Sequence, residues 1–177
     1  MPRRAPVALV ALALLAPSPA SAQVALPSSA PTRPAPGQEG PKLGSYMPAL
    51  DTTGLNNVDY HIDFPVKGPT TLLFFFSPGC PHCKAMIPEW NKAFASKPEG
   101  LKVLGVAMEK PPEGFFAAVP VSFPVVIARK ARQMSKDINL QHVPLAVRVA
   151  PGGQVEDVAG GEVSPERVQK LFAAPAC

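Results

Sequence analysis

The sequence predicts an α/β domain built on a central mixed β-sheet with helices on both faces. Three observations carry that expectation. First, an apolar run, Leu72-Leu73-Phe74-Phe75-Phe76, is broken by Ser77-Pro78-Gly79, and the apolar residues after the break (Met86, Ile87, Trp90 and Phe94) recur at helical spacing. Second, Lys97-Pro98-Glu99-Gly100 stops that helix and a further apolar run, Leu101 to Ala107, follows, so the segment reads as a strand–helix–strand unit. Third, Leu145 to Val149 and Gln154 to Val158 read as strands joined by the turn Pro151-Gly152-Gly153, with a last helix behind them.

From the beginning of the 177-residue chain, Met1 to Ala22 reads as an export signal. Arg3 and Arg4 form its positive end, Val7 to Ala16 its short apolar centre, and Ala20-Ser21-Ala22 a small-residue cleavage site. The apolar run is short for a bilayer span, and an uncleaved leader would act as an N-terminal anchor. The destination expected is an oxidising compartment, a bacterial periplasm. Setting aside Arg3 and Arg4 leaves 15 basic against 13 acidic residues, a balance that does not favour nucleic acid or an anionic membrane surface as partner. Gln23 to Leu43, punctuated by Pro27, Pro31, Pro34, Pro36 and Pro41, reads as an extended disordered linker. The domain is expected over residues 44–173, of a length that suits one core, with a flexible tail over 174–177.

Within the domain, Asp51-Thr52-Thr53-Gly54 and Leu55-Asn56-Asn57 carry turn chemistry. Val58, Tyr60, Ile62 and Phe64 alternate as one face of a half-buried strand. After the strand–helix–strand unit, Phe115 to Val119 reads as a short helix, Val125 to Ala128 as a strand and Ala131 to Asn139 as a helix. Ser164-Pro165 has the form of an N-cap with proline at the first helical position, ahead of the apolar Val168, Leu171 and Phe172.

The chemistry is concentrated in Cys80-Pro81-His82-Cys83, placed where the buried strand hands over to the helix. A thiolate is the reactive form of cysteine, and the unpaired N–H groups and dipole of a helix N-terminus favour an anion. Cys80 is expected at or near the N-cap, exposed and nucleophilic. Cys83 is expected to be more buried and within bonding reach, so that it resolves a mixed disulfide made by Cys80. The charged ring of His82 would add to the stabilisation of the thiolate, and Pro81 suits the first helical position. A structural zinc site would need two further ligands, and no second Cys-x-x-Cys or His pair exists. A purely structural bridge across two residues would recover little chain entropy. His61 and His142 stand alone and read as surface and loop positions, and Trp90 as core. Cys177, the odd cysteine, reads as an incidental thiol or one available for an intermolecular bridge.

Phe74-Phe75-Phe76 through Cys80-x-x-Cys83-Lys84 and Pro88 resembles the strand, active-site helix and kinking proline of the thioredoxin superfamily. The Pro-His pair is similar to that of the periplasmic disulfide oxidase DsbA. Leu101 to Ala107, Ser122-Phe123-Pro124-Val125-Val126, Val143-Pro144 and Pro151-Gly152-Gly153 resemble the TlpA/ResA-type extracytoplasmic branch, over roughly residues 43–172. The resemblance implies a thioredoxin-like fold and thiol–disulfide exchange with exported cysteine-containing proteins. It further implies a membrane redox partner that resets the pair, a redox-active Cys80–Cys83 disulfide in place of a cofactor, and no metal. It also implies that Pro144 is cis and packs against the active-site pair, so that Val143 can present its backbone to a client. Two features depart from the pattern: Phe74 stands where thioredoxins carry a buried acid, and Met86 where ResA-type reductases carry a glutamate. The alternatives are a TlpA-like reductase serving cytochrome c or copper-site assembly, a Cu(I) metallochaperone using the two thiolates, and a binding domain with an inert bridge.

Overall fold

The computed structural model describes residues 40–173, so the expected leader, its cleavage site, nearly all of the linker and the tail with Cys177 lie outside the described residues. Seven strands and four helices follow one another as β1 (Leu50–Gly54), β2 (Asp59–Ile62), β3 (Thr70–Phe76), α1 (Pro81–Ala95), β4 (Leu101–Ala107), α2 (Phe115–Ala118), β5 (Val125–Ala128), α3 (Ala131–Asp137), β6 (Leu145–Val149), β7 (Val155–Gly160) and α4 (Pro165–Phe172). They form one sheet in the order β2-β1-β5-β4-β3-β6-β7. The β3, β4 and β5 strands run parallel, and β1, β2, β6 and β7 add antiparallel pairs on either side, so the sheet is mixed as expected.

The period of two along β3 divides the core. Leu72, Phe74 and Phe76 face α1, α4 and the Phe115 of α2. Leu73 and Phe75 face the other side, where Met134 of α3 packs with Ile138, Leu140, Leu50 and Ile62. A central strand flanked by β4 and β6 has no solvent face, which is why its sequence is continuously apolar and not alternating. Beneath the active-site helix, Phe74 and Trp90 stack with centroids 4.3 Å apart and planes within 8°. Phe123 and Phe172 close against the same ring of Phe74 at 5.3 and 5.9 Å. The indole N–H of Trp90 is buried with no acceptor among the described residues.

Three sequence expectations give way here. The turn expected at Asp51 to Gly54 lies in β1, which pairs with both β2 and β5; Thr52 is fully buried and its hydroxyl donates to the Tyr60 carbonyl at 2.6 Å. Threonine reads as turn chemistry alone but suits a pleated strand once neighbours exist. The alternating face at Val58 to Phe64 is buried at one end alone: β2 is the edge of the sheet, Val58 and Tyr60 are exposed, and Ile62 and the half-buried Phe64 reach the core. Ordered packing also starts ahead of Gly44. Gly40 and Pro41 are buried, and the Gly40 N–H donates to the Asn139 carbonyl at 3.0 Å. The hairpin between β6 and β7 turns as expected through Gly152 and Gly153, both at positive φ (86° and 93°), a conformation glycine adopts without penalty.

Phe74 is fully buried under α1 and meets the rings of Trp90, Phe123 and Phe172. Replacing it with alanine should cost about 3–5 kcal/mol by loss of burial and of the Trp90 stack, checked by urea unfolding of the two proteins.

Candidate active site

Strand β3 ends in the core, and Ser77-Pro78-Gly79 swings the chain out to the start of α1. The Cys80 N–H closes this turn on the Ser77 carbonyl at 3.1 Å. Cys80 is the N-cap, with extended backbone (φ −81°, ψ 120°), and Pro81 holds the first helical position, both as expected. The Cys80 sulfur occupies the place a capping oxygen takes in other helices and accepts the Cys83 backbone N–H at 3.4 Å. Cys80 is half-buried and Cys83 has no exposed surface. Both are free thiols.

The two sulfurs are therefore placed in different surroundings. The Cys83 thiol is pushed up to about 12, chiefly by burial; hydrogen bonding to the Ser77 backbone offsets part of the rise and contact with Cys80 adds to it. Phe74 and Met86, fully and almost fully buried, share one apolar cluster with Cys83, and that cluster contains no carboxylate.

Carboxylates stand instead on surface loops around the site. Glu109, after β4, accepts a hydrogen bond from the Ser77 hydroxyl, and that hydroxyl oxygen accepts the Gly79 N–H at 3.3 Å. Glu162, between β7 and α4, meets Nδ1 of His82 at 2.5 Å. Neither acid has a local signal in the sequence: each follows a strand end in a polar loop, and only the place of β4 beside β3 and of β7 beside β6 brings them here.

The loop before β6 also reaches Cys80. The Val143–Pro144 peptide is cis. Pro144 is buried, and the Cys80 thiol donates to the Val143 carbonyl at 3.6 Å. The Pro144 carbonyl in turn accepts the Gly161 N–H at 2.8 Å, with Gly161 at φ +71°, which ties the proline loop to the Glu162 loop. Cys80, Pro81, His82, Cys83, Val143 and Pro144 thus share one site. The remaining histidines do not join it. His61 pairs across β1 and β2 with Asp51 at 2.9 Å, and His142 is exposed on the loop leading to Val143. Among the described residues, no group of three or more His, Cys, Asp or Glu side chains is arranged to hold a metal ion.

A parallel β3–β4 core, a helix capped by the first of two cysteines and a cis-proline loop facing it define a known architecture. The domain has the thioredoxin-like fold. StoA from Bacillus subtilis superposes on it with a TM-score of 0.59 at 21% identity, covering 71% of this chain and 97% of that one. The thioredoxin domain of a thiol-disulfide oxidoreductase from Bacteroides vulgatus does so at 0.61 and 20%, covering 74% and 98%. In sequence, the chain is similar to sporulation thiol-disulfide oxidoreductase A of Bacillus subtilis (strain 168), with 25% identity over 116 residues, which is 62% of this chain and 70% of the relative. No family model matches the sequence. The thioredoxin-like domain is thus a homologue of thiol–disulfide oxidoreductases, in line with the expectation from its Cys-Pro-His-Cys motif.

Two outcomes follow from the asymmetry of the sulfurs. In the reduced protein at neutral pH, iodoacetamide should modify Cys80 first and reach Cys83 only after denaturation, as read by peptide mass mapping. Because the folded state holds the Cys83 proton more tightly than the unfolded state, its contribution to stability is complete below about pH 9 and is lost as pH rises towards 12. The melting temperature of the reduced protein should therefore fall more steeply above pH 9 than that of Cys83→Ala.

Proposed function

We propose that this protein is an extracytoplasmic thiol–disulfide oxidoreductase that exchanges disulfides with exported cysteine-containing proteins through Cys80 and Cys83. The observation that carries the reading is the pairing of a half-exposed sulfur at a helix N-cap with a buried sulfur three residues on. The predicted export signal and the similarity to a sporulation thiol-disulfide oxidoreductase support it, and a periplasmic location, with a membrane partner to reset the pair, is part of the same proposal.

In the reductive direction, the Cys80 thiolate attacks one sulfur of a client disulfide. The client S–S bond breaks, a Cys80–client disulfide forms, and the second client sulfur leaves as thiolate and takes a proton from solvent. Cys83 then loses its proton and attacks the Cys80 sulfur, which expels the first client sulfur and leaves a Cys80–Cys83 disulfide. The client gains two electrons and the pair loses two; reversing both steps oxidises a client dithiol. The helix N-terminus favours the Cys80 anion in the first step. The burial that keeps Cys83 protonated stops it from competing for clients. Beside the mixed disulfide, Val143 supplies backbone groups with which an extended client segment can pair, and Pro144 packs beneath it.

Catalysis of insulin reduction by dithiothreitol checks this directly. The wild-type protein should accelerate insulin precipitation, and Cys80→Ser should reduce the rate to that of dithiothreitol alone. With Cys83→Ser incubated with oxidised glutathione, the mixed disulfide between Cys80 and one glutathione should accumulate, the other leaving as the thiol, and be visible as an adduct by intact-protein mass spectrometry. A folded wild-type protein with no acceleration would overturn the proposal.

A further inference from the structure

His82 lies between the two cysteines, and the Cys-Pro-His-Cys motif by itself assigns it one role: a positive charge that stabilises the Cys80 thiolate. The fold adds an opposing group. Glu162 is 80 residues away in sequence, yet its carboxylate meets Nδ1 of the ring at 2.5 Å. The pair is partly exposed, with 69% of the His82 side chain and 47% of the Glu162 side chain accessible, so the histidine is held in place by this contact and not by packing.

Glu162 is not on a loose arm. It follows Gly161, whose N–H is bound to the Pro144 carbonyl, and it precedes Ser164, whose hydroxyl caps α4 by accepting the Arg167 N–H at 3.3 Å. The chain is thus pinned on both sides of the carboxylate, once to the loop that faces Cys80 and once to a helix that packs beside α1. We infer that Glu162 is a positioning residue that fixes the ring of His82 beside Cys80 and cancels much of its charge. The inference rests on the thiol–disulfide exchange proposed above and specifies how its potential is set.

The expected electrostatic effect has one sign. Deleting the carboxylate removes a negative charge from the rim of the site and leaves His82 without its counter-charge. The surroundings of Cys80 therefore become more positive, the thiolate gains stability, and the pair becomes more oxidising. With Glu162 in place, the site is less oxidising than its Pro-His pair alone would make it.

The test is the equilibrium of the Cys80/Cys83 pair with glutathione at pH 7 in the full-length protein, read by quenched alkylation and mass spectrometry. Glu162→Gln should shift the equilibrium constant about two- to fivefold towards the reduced protein, the range expected for a solvent-exposed charge pair. Glu162→Asp should restore part of the wild-type value. Equal constants for wild type and Glu162→Gln, or a shift of opposite sign, would each overturn the inference while leaving the exchange reaction intact. Failure of the wild-type pair to exchange with glutathione at all would overturn the exchange reaction, and the inference with it.

Discussion

Cys83 has no exposed surface, and that burial holds its thiol near 12, while Cys80 stays half-exposed as the cap of the same helix. This difference between two sulfurs on one helical turn depends on the apolar floor beneath them. Phe74 and Trp90 stack under α1, Met86 and Ile87 fill the space beside Cys83, and Phe123 and Phe172 close the far side. A helix anchored in this way presents its first turn at a fixed height above the sheet, so one sulfur emerges and the other does not. Rigid support of this kind is what a reactive pair requires, because the geometry of exchange tolerates little drift.

The same apolar floor removes a familiar proton acceptor. With Phe74 and Met86 below Cys83, the acids near the site are pushed to its rim, where Glu109 braces the Ser77–Gly79 turn and Glu162 holds His82. Three loops of different origin converge on Cys80: the turn after β3, the cis-proline loop before β6 and the loop after β7. The Gly161 to Pro144 hydrogen bond joins the last two.

The expectations that failed did so for one reason. Thr52 and Thr53 read as a turn because nothing in their own segment shows that β2 and β5 will lie on either side of them. Val58 and Tyr60 alternate like a buried face, yet they stay exposed at the sheet edge, where the Lys102 ammonium lies over the Tyr60 ring at 5.6 Å. Gly40 and Pro41 look like linker because the partner that buries them, around Asn139, is about a hundred residues away. Local chemistry states what a segment can do, and its neighbours select among the options.

The sequence by itself determined the parts whose causes are local. The break after Phe76, the cysteine at the N-cap with proline behind it, the apolar stripe of α1 and the Gly-Gly turn of the last hairpin all follow from backbone preference and period, and the structure keeps each of them. Only the tertiary structure decided which residues surround the sulfurs. Val143 and Glu162 lie 63 and 80 residues from the atoms they meet, and their positions follow from the order of strands in the sheet and from no property of their own segments. The reactive pair is local chemistry, while the charge and shape around it come from strands that must first find their place beside β3.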